Sequence, residues 1–226
     1  MRYRSVVPGR FLDRPNRFIA HVEIAGKRET VHVKNTGRCR ELLVPGCLVY
    51  CAYDPSPMRK TEYDLIVAEK NGRLINLDSQ VPNKLFAEWA AAGGYTGEPV
   101  SLWPEYTWGD SRFDFRVDLP GRTRLVEVKG VTLEQDGHVS FPDAPTERGV
   151  KHLRGLIRAA EEGLETAVFF VIQMEGALDF SPADHIHPEF GEVLRLAAEK
   201  GVRIEAYDCI VKPNEILIRQ PVPVLL

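Results

Sequence analysis

The first 80 residues alternate apolar and polar positions with the period of a half-buried strand. Residues 18–24 (FIAHVEI) and 29–35 (ETVHVKN) flank Ala25-Gly26-Lys27, and 63–69 (YDLIVAE) and 73–78 (RLINLD) flank Asn71-Gly72. Both arrangements predict hairpins, and Asn-Gly is the strongest short turn signal. With 47–53 (CLVYCAY) these make five strands without a helix, which predicts a small closed barrel of the OB type. Near residue 81 the period changes. VPNKLFAEWAAAGG carries apolar residues at helical spacing and ends on two glycines, so the first domain is placed at residues 1–81 and the second at 82–226.

The second domain reads as a helix, extended segments near 99–108, 111–119 and 123–130, a helix over about 146–162, and a strand at 166–174. A helix at 188–201 and extended segments at 202–211 and 215–220 follow. TAVFFVIQM is continuously apolar and β-branched, as a strand covered on both faces must be. The fold class is therefore α/β (α+β), a barrel followed by a mixed domain. The segment GVTLEQDGHVSFPDAP reads as a loop, and Thr146 as the N-cap of the helix after it.

Composition adds a charge asymmetry. The net charge is −3. The first 80 residues carry 14 basic and 9 acidic side chains, against 15 and 23 in the remainder. A basic barrel attracts polyanions, and an acidic second domain tolerates them when cations neutralise its carboxylates. A solvated charged surface is the alternative. No uncharged apolar run reaches the length of a membrane span, and the arginine- and proline-rich start is unlike a signal peptide, so a cytoplasmic protein is expected. The four cysteines read as free thiols, because Cys39, Cys47 and Cys51 are not spaced as two close zinc-binding pairs. His185-Ile186-His187 reads as a loop docking the next helix rather than as a metal site, since no acidic residue stands at ligand spacing. GXSXG and Walker signatures are absent, which disfavours serine-nucleophile and ATP chemistry.

The candidate chemistry lies in SRFDFRVDLPGRTRLVEVKG, residues 111–130. A loop centred on Pro120-Gly121 pairs residues whose numbers sum to 241, so Asp114 faces Glu127 with Cβ atoms about 4.5–5.5 Å apart, and Lys129 shares their face. Two carboxylates that close repel unless a cation lies between them, and Mg²⁺ or Mn²⁺ would supply it. Asp114 and Glu127 would then hold the metal against a phosphate, with Lys129 orienting the attacking water. A solvent-facing hairpin with alternating charges explains the spacing equally. Along the following helix, Glu147, Lys151, Arg154 and Arg158 form a stripe that either contacts phosphate and completes the site or is a set of ion pairs. In the barrel, Lys34, Arg38 and Arg40 surround Asn35-Thr36-Gly37, with Arg17 and Phe18 on a nearby strand, a turn suited to gripping phosphate or simply a basic surface.

The chain order of helix, meander, helix and strand resembles the PD-(D/E)XK nuclease fold, which implies a further acidic ligand at Glu88 on the preceding helix. Over its whole length the chain resembles the sugar fermentation stimulation protein A (SfsA) family, through NRFIAHVEI, VKNTGR, SRFDFRVDL, VEVKGVTL, FPDAPTERGVKHLR and GVRIEAYDCIV. That resemblance implies an OB-like barrel joined to a nuclease-like domain, non-specific DNA binding and a regulatory part in sugar metabolism. Its acidic and basic site residues fall on Asp114, Glu127 and Lys129, with Glu147 and Lys151 nearby. Cleavage of phosphodiesters, or an interaction module with a vestigial pocket, are the alternatives to binding alone.

Overall fold

The computed structural model describes every residue except Thr36, so that part of the Asn35-Thr36-Gly37 turn lies outside the described residues. The barrel is built from β1 (Val6–Asp13), β2 (Ile19–Ile24), β3 (Lys27–Val33), β4 (Leu48–Tyr53) and β5 (Tyr63–Lys70). A parallel pairing of β3 with β5 closes the ring in the order β1-β2-β3-β5-β4. β6 (Arg73–Asn76) lies outside it, hydrogen-bonded to β5. The strand that sequence patterning missed is β1, which lies in the arginine- and proline-rich start of the chain. Gly9 sits there because β1 crosses so close to β2 that a Cβ would collide with the Val22 side chain. Ala25-Gly26 and Asn71-Gly72 all take positive φ, as two-residue hairpin turns require.

The second domain opens with α1 (Val81–Ala91), followed by the antiparallel strands β7 (Ser101–Trp108), β8 (Ser111–Leu119) and β9 (Arg122–Val131). The segment expected to be a loop contains β10 (Leu133–Gln135) and β11 (His138–Phe141), an antiparallel pair. Next come α2 (Glu147–Glu161), β12 (Glu165–Ile172), β13 (Asp179–Pro182), α3 (Pro188–Glu199), β14 (Arg203–Lys212) and β15 (Glu215–Pro221). β13 pairs in parallel with β11, so a small three-stranded sheet replaces the expected loops.

The main sheet runs β15-β14-β12-β9-β8-β7, with β12 parallel to both β9 and β14. Seven of the eight β12 residues are buried, which is why this strand reads as an unbroken apolar run. One face packs on α1 through Phe86, whose ring lies 4.9 Å from Phe169 and 5.4 Å from Phe115. Such pairs contribute about 0.5–1.5 kcal/mol each beyond burial. The other face packs on α2, whose Thr146 Oγ1 accepts from the Gly149 amide at 3.1 Å, the expected N-cap.

The two domains are joined by ion pairs of Lys70 and Arg73 with Glu134 and by the Gln173 side chain. Its Nε2 donates to the Asn76 carbonyl at 3.0 Å and the Asp78 carbonyl at 3.1 Å, and the Asn76 amide returns a bond to the Gln173 carbonyl at 2.9 Å. Among the described residues no helix is long and apolar enough to cross a membrane. All four cysteines are free. Burial pushes the thiols of Cys39 and Cys51 up to about 12, so neither forms a thiolate at neutral pH.

Candidate nucleic-acid interface and carboxylate centre

The β8–β9 hairpin has the register expected of its Pro120-Gly121 loop, from Leu119↔Arg122 to Phe115↔Val126. The ladder then stops one residue short of Asp114. Phe115 and Val117 pack with the α1-side core, whereas Phe113 turns to the core of α2. The alternation expected to keep all three on one face therefore breaks at Asp114. Beyond the last ladder pair, the Val128 amide donates instead to Asp114 Oδ2 at 2.8 Å, and Asn83 Nδ2 on α1 donates to Oδ1 at 2.7 Å. Asp114 thus sits in the fork between the strands rather than opposite Glu127 on a flat ladder.

Glu127 is 2% exposed and bonded through Oε1 to both the Lys129 ammonium and the His152 ring of α2. Its other oxygen, Oε2, is buried and has no hydrogen-bond partner among the described residues. Burial would raise the Glu127 carboxyl, but the bond from His152 and the charge of Lys129 hold it below the usual range. Asp114 moves the other way: burial, and then the negative charge of Glu127, push its carboxyl up, partly offset by the Val128 amide and Lys129. Asp114, Glu127 and Lys129 therefore form one coupled group. The sequence reading missed His152 and Asn83. His152 stands four residues before buried Leu156 on α2, and that spacing on one helix face was the available signal.

Other candidates fall elsewhere. Glu88 is not at the centre: its carboxylate pairs with the Met1 amino terminus at 3.1 Å, and five helical positions separate it from Asn83, which turns it well away from the sheet fork. The helix stripe is taken up by ion pairs. Arg154 binds Glu189 at 2.9 Å, and Arg158 binds Asp110. Glu147 lies 3.6 Å from His187 Nε2, and Lys151 is exposed; among the described residues neither bonds to Glu127. Contrary to the spacing argument, acidic residues do reach His187: Glu147 and Glu189 gather around it from α2 and α3. Its Nδ1 accepts the Thr146 amide at 3.2 Å, so the neutral ring carries its proton on Nε2, toward Glu147.

On the barrel, Arg14 organises the basic turn. Its guanidinium donates to the carbonyls of Arg17, Asn35, Gly37 and Arg38 at 2.7–2.8 Å. These bonds shape a groove of about 510 Å³ lined by Arg14, Arg17, Arg38 and Arg40. Arg17, Arg38 and Arg40 are exposed, and none has a carboxylate partner among the described residues. Lys34 does not join them: it is bound to buried Asp64 at 2.8 Å, a carboxylate also held by Arg59.

The fold and these two sites define a protein in which a cationic OB barrel is docked on an α/β domain with a buried carboxylate–lysine centre. The chain belongs to the SfsA family: residues 80–215 match the model described as "Sugar fermentation stimulation protein RE domain", and 12–77 match "SfsA N-terminal OB domain". A "Sugar fermentation stimulation protein homolog" of Clostridium beijerinckii is 50% identical over 226 residues, covering 100% of both chains. One of Desulfitobacterium hafniense (strain Y51) is 53% identical over 216 residues, covering 96% of this chain and 94% of that one. A solved structure described as "The structure of Pyrococcus Furiosus SfsA in complex with Ca2+" is similar with a TM-score of 0.88 at 29% identity, covering 100% of this chain and 98% of that one.

Proposed function

We propose that the protein binds DNA through backbone phosphates on the groove of Arg14, Arg17, Arg38 and Arg40, a contact that itself reads no base. The observation that carries this reading is three exposed guanidiniums left without carboxylates on a turn whose backbone Arg14 holds in place. The backbone that carries them is already held by Arg14 and needs no ordering on meeting phosphate, and guanidinium forks suit its oxygens. Fluorescence anisotropy with a duplex of random sequence tests it. Binding must weaken steeply as salt rises, and a flat salt dependence refutes it.

A second reading is Mg²⁺- or Mn²⁺-dependent hydrolysis of phosphodiesters at the carboxylate centre, favoured by the orphaned Glu127 Oε2. A buried carboxylate oxygen without a partner calls for a ligand, and a hard divalent cation bound by oxygen fits it. Asp114 and Glu127 would hold the ion; when bound, it would offset phosphate charge and acidify water. His152 fixes the Glu127 carboxylate, and Lys129 carries positive charge beside it. The calcium in the Pyrococcus furiosus relative supports a divalent site on this architecture. DNA and RNA incubated with Mn²⁺ and either wild type or Lys129→Ala decide between binding and cleavage. Uncut nucleic acid with folded wild-type protein refutes hydrolysis.

A further inference from the structure

A second cavity, of about 160 Å³, lies at the domain junction between the arginine groove and the carboxylate centre. Gly37 lines both the groove and this cavity, and Gly130, next to Lys129 in the chain, lines its other side. Both glycines are needed to keep it open: a Cβ on Gly37 would strike the Asp143 carboxylate, and one on Gly130 would strike Gln173 Oε1 and the Pro82 ring. Leu133 and Phe141 supply apolar wall. The polar groups are unevenly matched. Gln173 is 2% exposed, and its amide orientation is fixed because Nε2 faces two backbone carbonyls. Its Oε1 is left beside Gly130, accepting no hydrogen bond from any described residue. The Asp143 carboxylate stands at the rim without a cationic partner among the described residues. Asn35 uses Oδ1 to accept the Gly37 amide at 2.7 Å, which leaves its Nδ2 as a donor.

We propose that this cavity is a nucleobase site that takes the amino-bearing edge of a cytosine splayed out of a strand whose phosphates lie on the arginine groove. The inference rests on the phosphate-binding function proposed above and adds the base that the chain accepts there. Two acceptors, Gln173 Oε1 and Asp143, meet an exocyclic amine, and Asn35 Nδ2 donates to a ring nitrogen or carbonyl, while the hydroxyls of Thr132 and Ser140 on the same walls take either role. Uracil and thymine present the reverse pattern on the same edge. The cavity is about half the smallest volume typical of drug-sized pockets, which fits one ring rather than a purine. Unpaired bases held outside a helix are read on these edges.

The test is calorimetric titration of the full chain with cytidine and uridine, nucleosides that carry no phosphate. Cytidine should bind saturably, independently of salt and at least tenfold more tightly than uridine, because uridine leaves Gln173 Oε1 unpaired. Ser140→Leu, which fills the cavity from β11, and Asp143→Ala at the rim should each abolish the preference. Should the leucine variant fail to fold, the exposed Asp143 position decides. No saturable cytidine binding, equal binding of uridine, or an unchanged preference in folded Asp143→Ala overturns the inference. Salt-dependent duplex binding measured alongside shows whether the groove function survives that failure.

Discussion

Replacing Arg17, Arg38 and Arg40 together with alanine isolates the cationic groove from every other basic residue of the barrel. All three are exposed and unpaired, so their removal breaks no ion pair and leaves the Arg14 bonds to the turn carbonyls in place. The melting temperature should stay within about a degree or two, as for ordinary surface substitutions. Each lost phosphate contact lowers the slope of log affinity against log salt by about 0.9, so three contacts lower it by about 2.7. Between 50 and 200 mM salt, wild type should then lose about fortyfold more affinity than the variant. Anisotropy of a labelled duplex across that range measures the slope directly. Lys34→Ala is the control. Its ammonium is committed to Asp64, so it should lower stability by about 1–3 kcal/mol while leaving the salt slope unchanged. A triple variant that folds normally and retains the wild-type slope refutes the groove as the phosphate contact, whatever its absolute affinity.

Glu127→Gln should abolish saturable Mn²⁺ binding in calorimetry and the metal-induced stabilisation against unfolding, which for wild type reaches about 2.7 kcal/mol at a hundredfold excess of ion over Kd; an undiminished stabilisation in the variant would place the ion elsewhere. Asp114 has its folded carboxyl raised, so the stability it confers is present below about pH 3.9 and is lost as pH rises through the folded value. Asp114→Asn should therefore melt higher than wild type at pH 7 in chelator, with the gap closing in acid; a lower melting temperature at pH 7 contradicts the assignment. Asp64 behaves oppositely: burial favours its neutral form, but the hydrogen bonds and charges of Lys34 and Arg59 hold its carboxyl below the usual range. Its stabilisation is present above about pH 3.9 and lost as pH falls through the folded value, so Asp64→Asn should cost about 1–3 kcal/mol at pH 7 and little near pH 2 in paired denaturant titrations.

Local pattern carried the elements that local chemistry determines. Asn71-Gly72 and Pro120-Gly121 set hairpin registers, and Thr146 capped its helix, because each depends on residues a few positions apart. Strand β1 escaped because proline and glycine are poor strand formers in isolation, a preference that the barrel overrides with a close crossing at Val22. β10, β11 and β13 escaped because β11 pairs with a strand some forty residues later, and no periodicity within a three- or four-residue strand reports that. On α1 the fold resemblance pointed to Glu88, whereas the phase of the helix delivers Asn83 to Asp114. Lys34 and Arg38 look alike in the chain, yet Asp64 on β5 takes one and leaves the other free.

The same distinction explains why the junction cavity has no motif. Its walls come from residues 35, 37, 79, 130, 132, 133, 140, 141, 143 and 173, assembled only when the barrel docks. One trace was present in the chain: Gln173 directly follows the apolar strand β12, and an amide at the end of a buried apolar strand must find partners for both its nitrogen and its oxygen. The structure supplies partners for the nitrogen, in the carbonyls of Asn76 and Asp78, and these bonds hold the two domains together. Because those same bonds fix where the oxygen points, the residue that locks the barrel onto the α/β domain also leaves an acceptor between the arginine groove and the carboxylate centre. One side chain thus takes part both in joining the domains, beside the ion pairs of Glu134 with Lys70 and Arg73, and in lining the cavity between them.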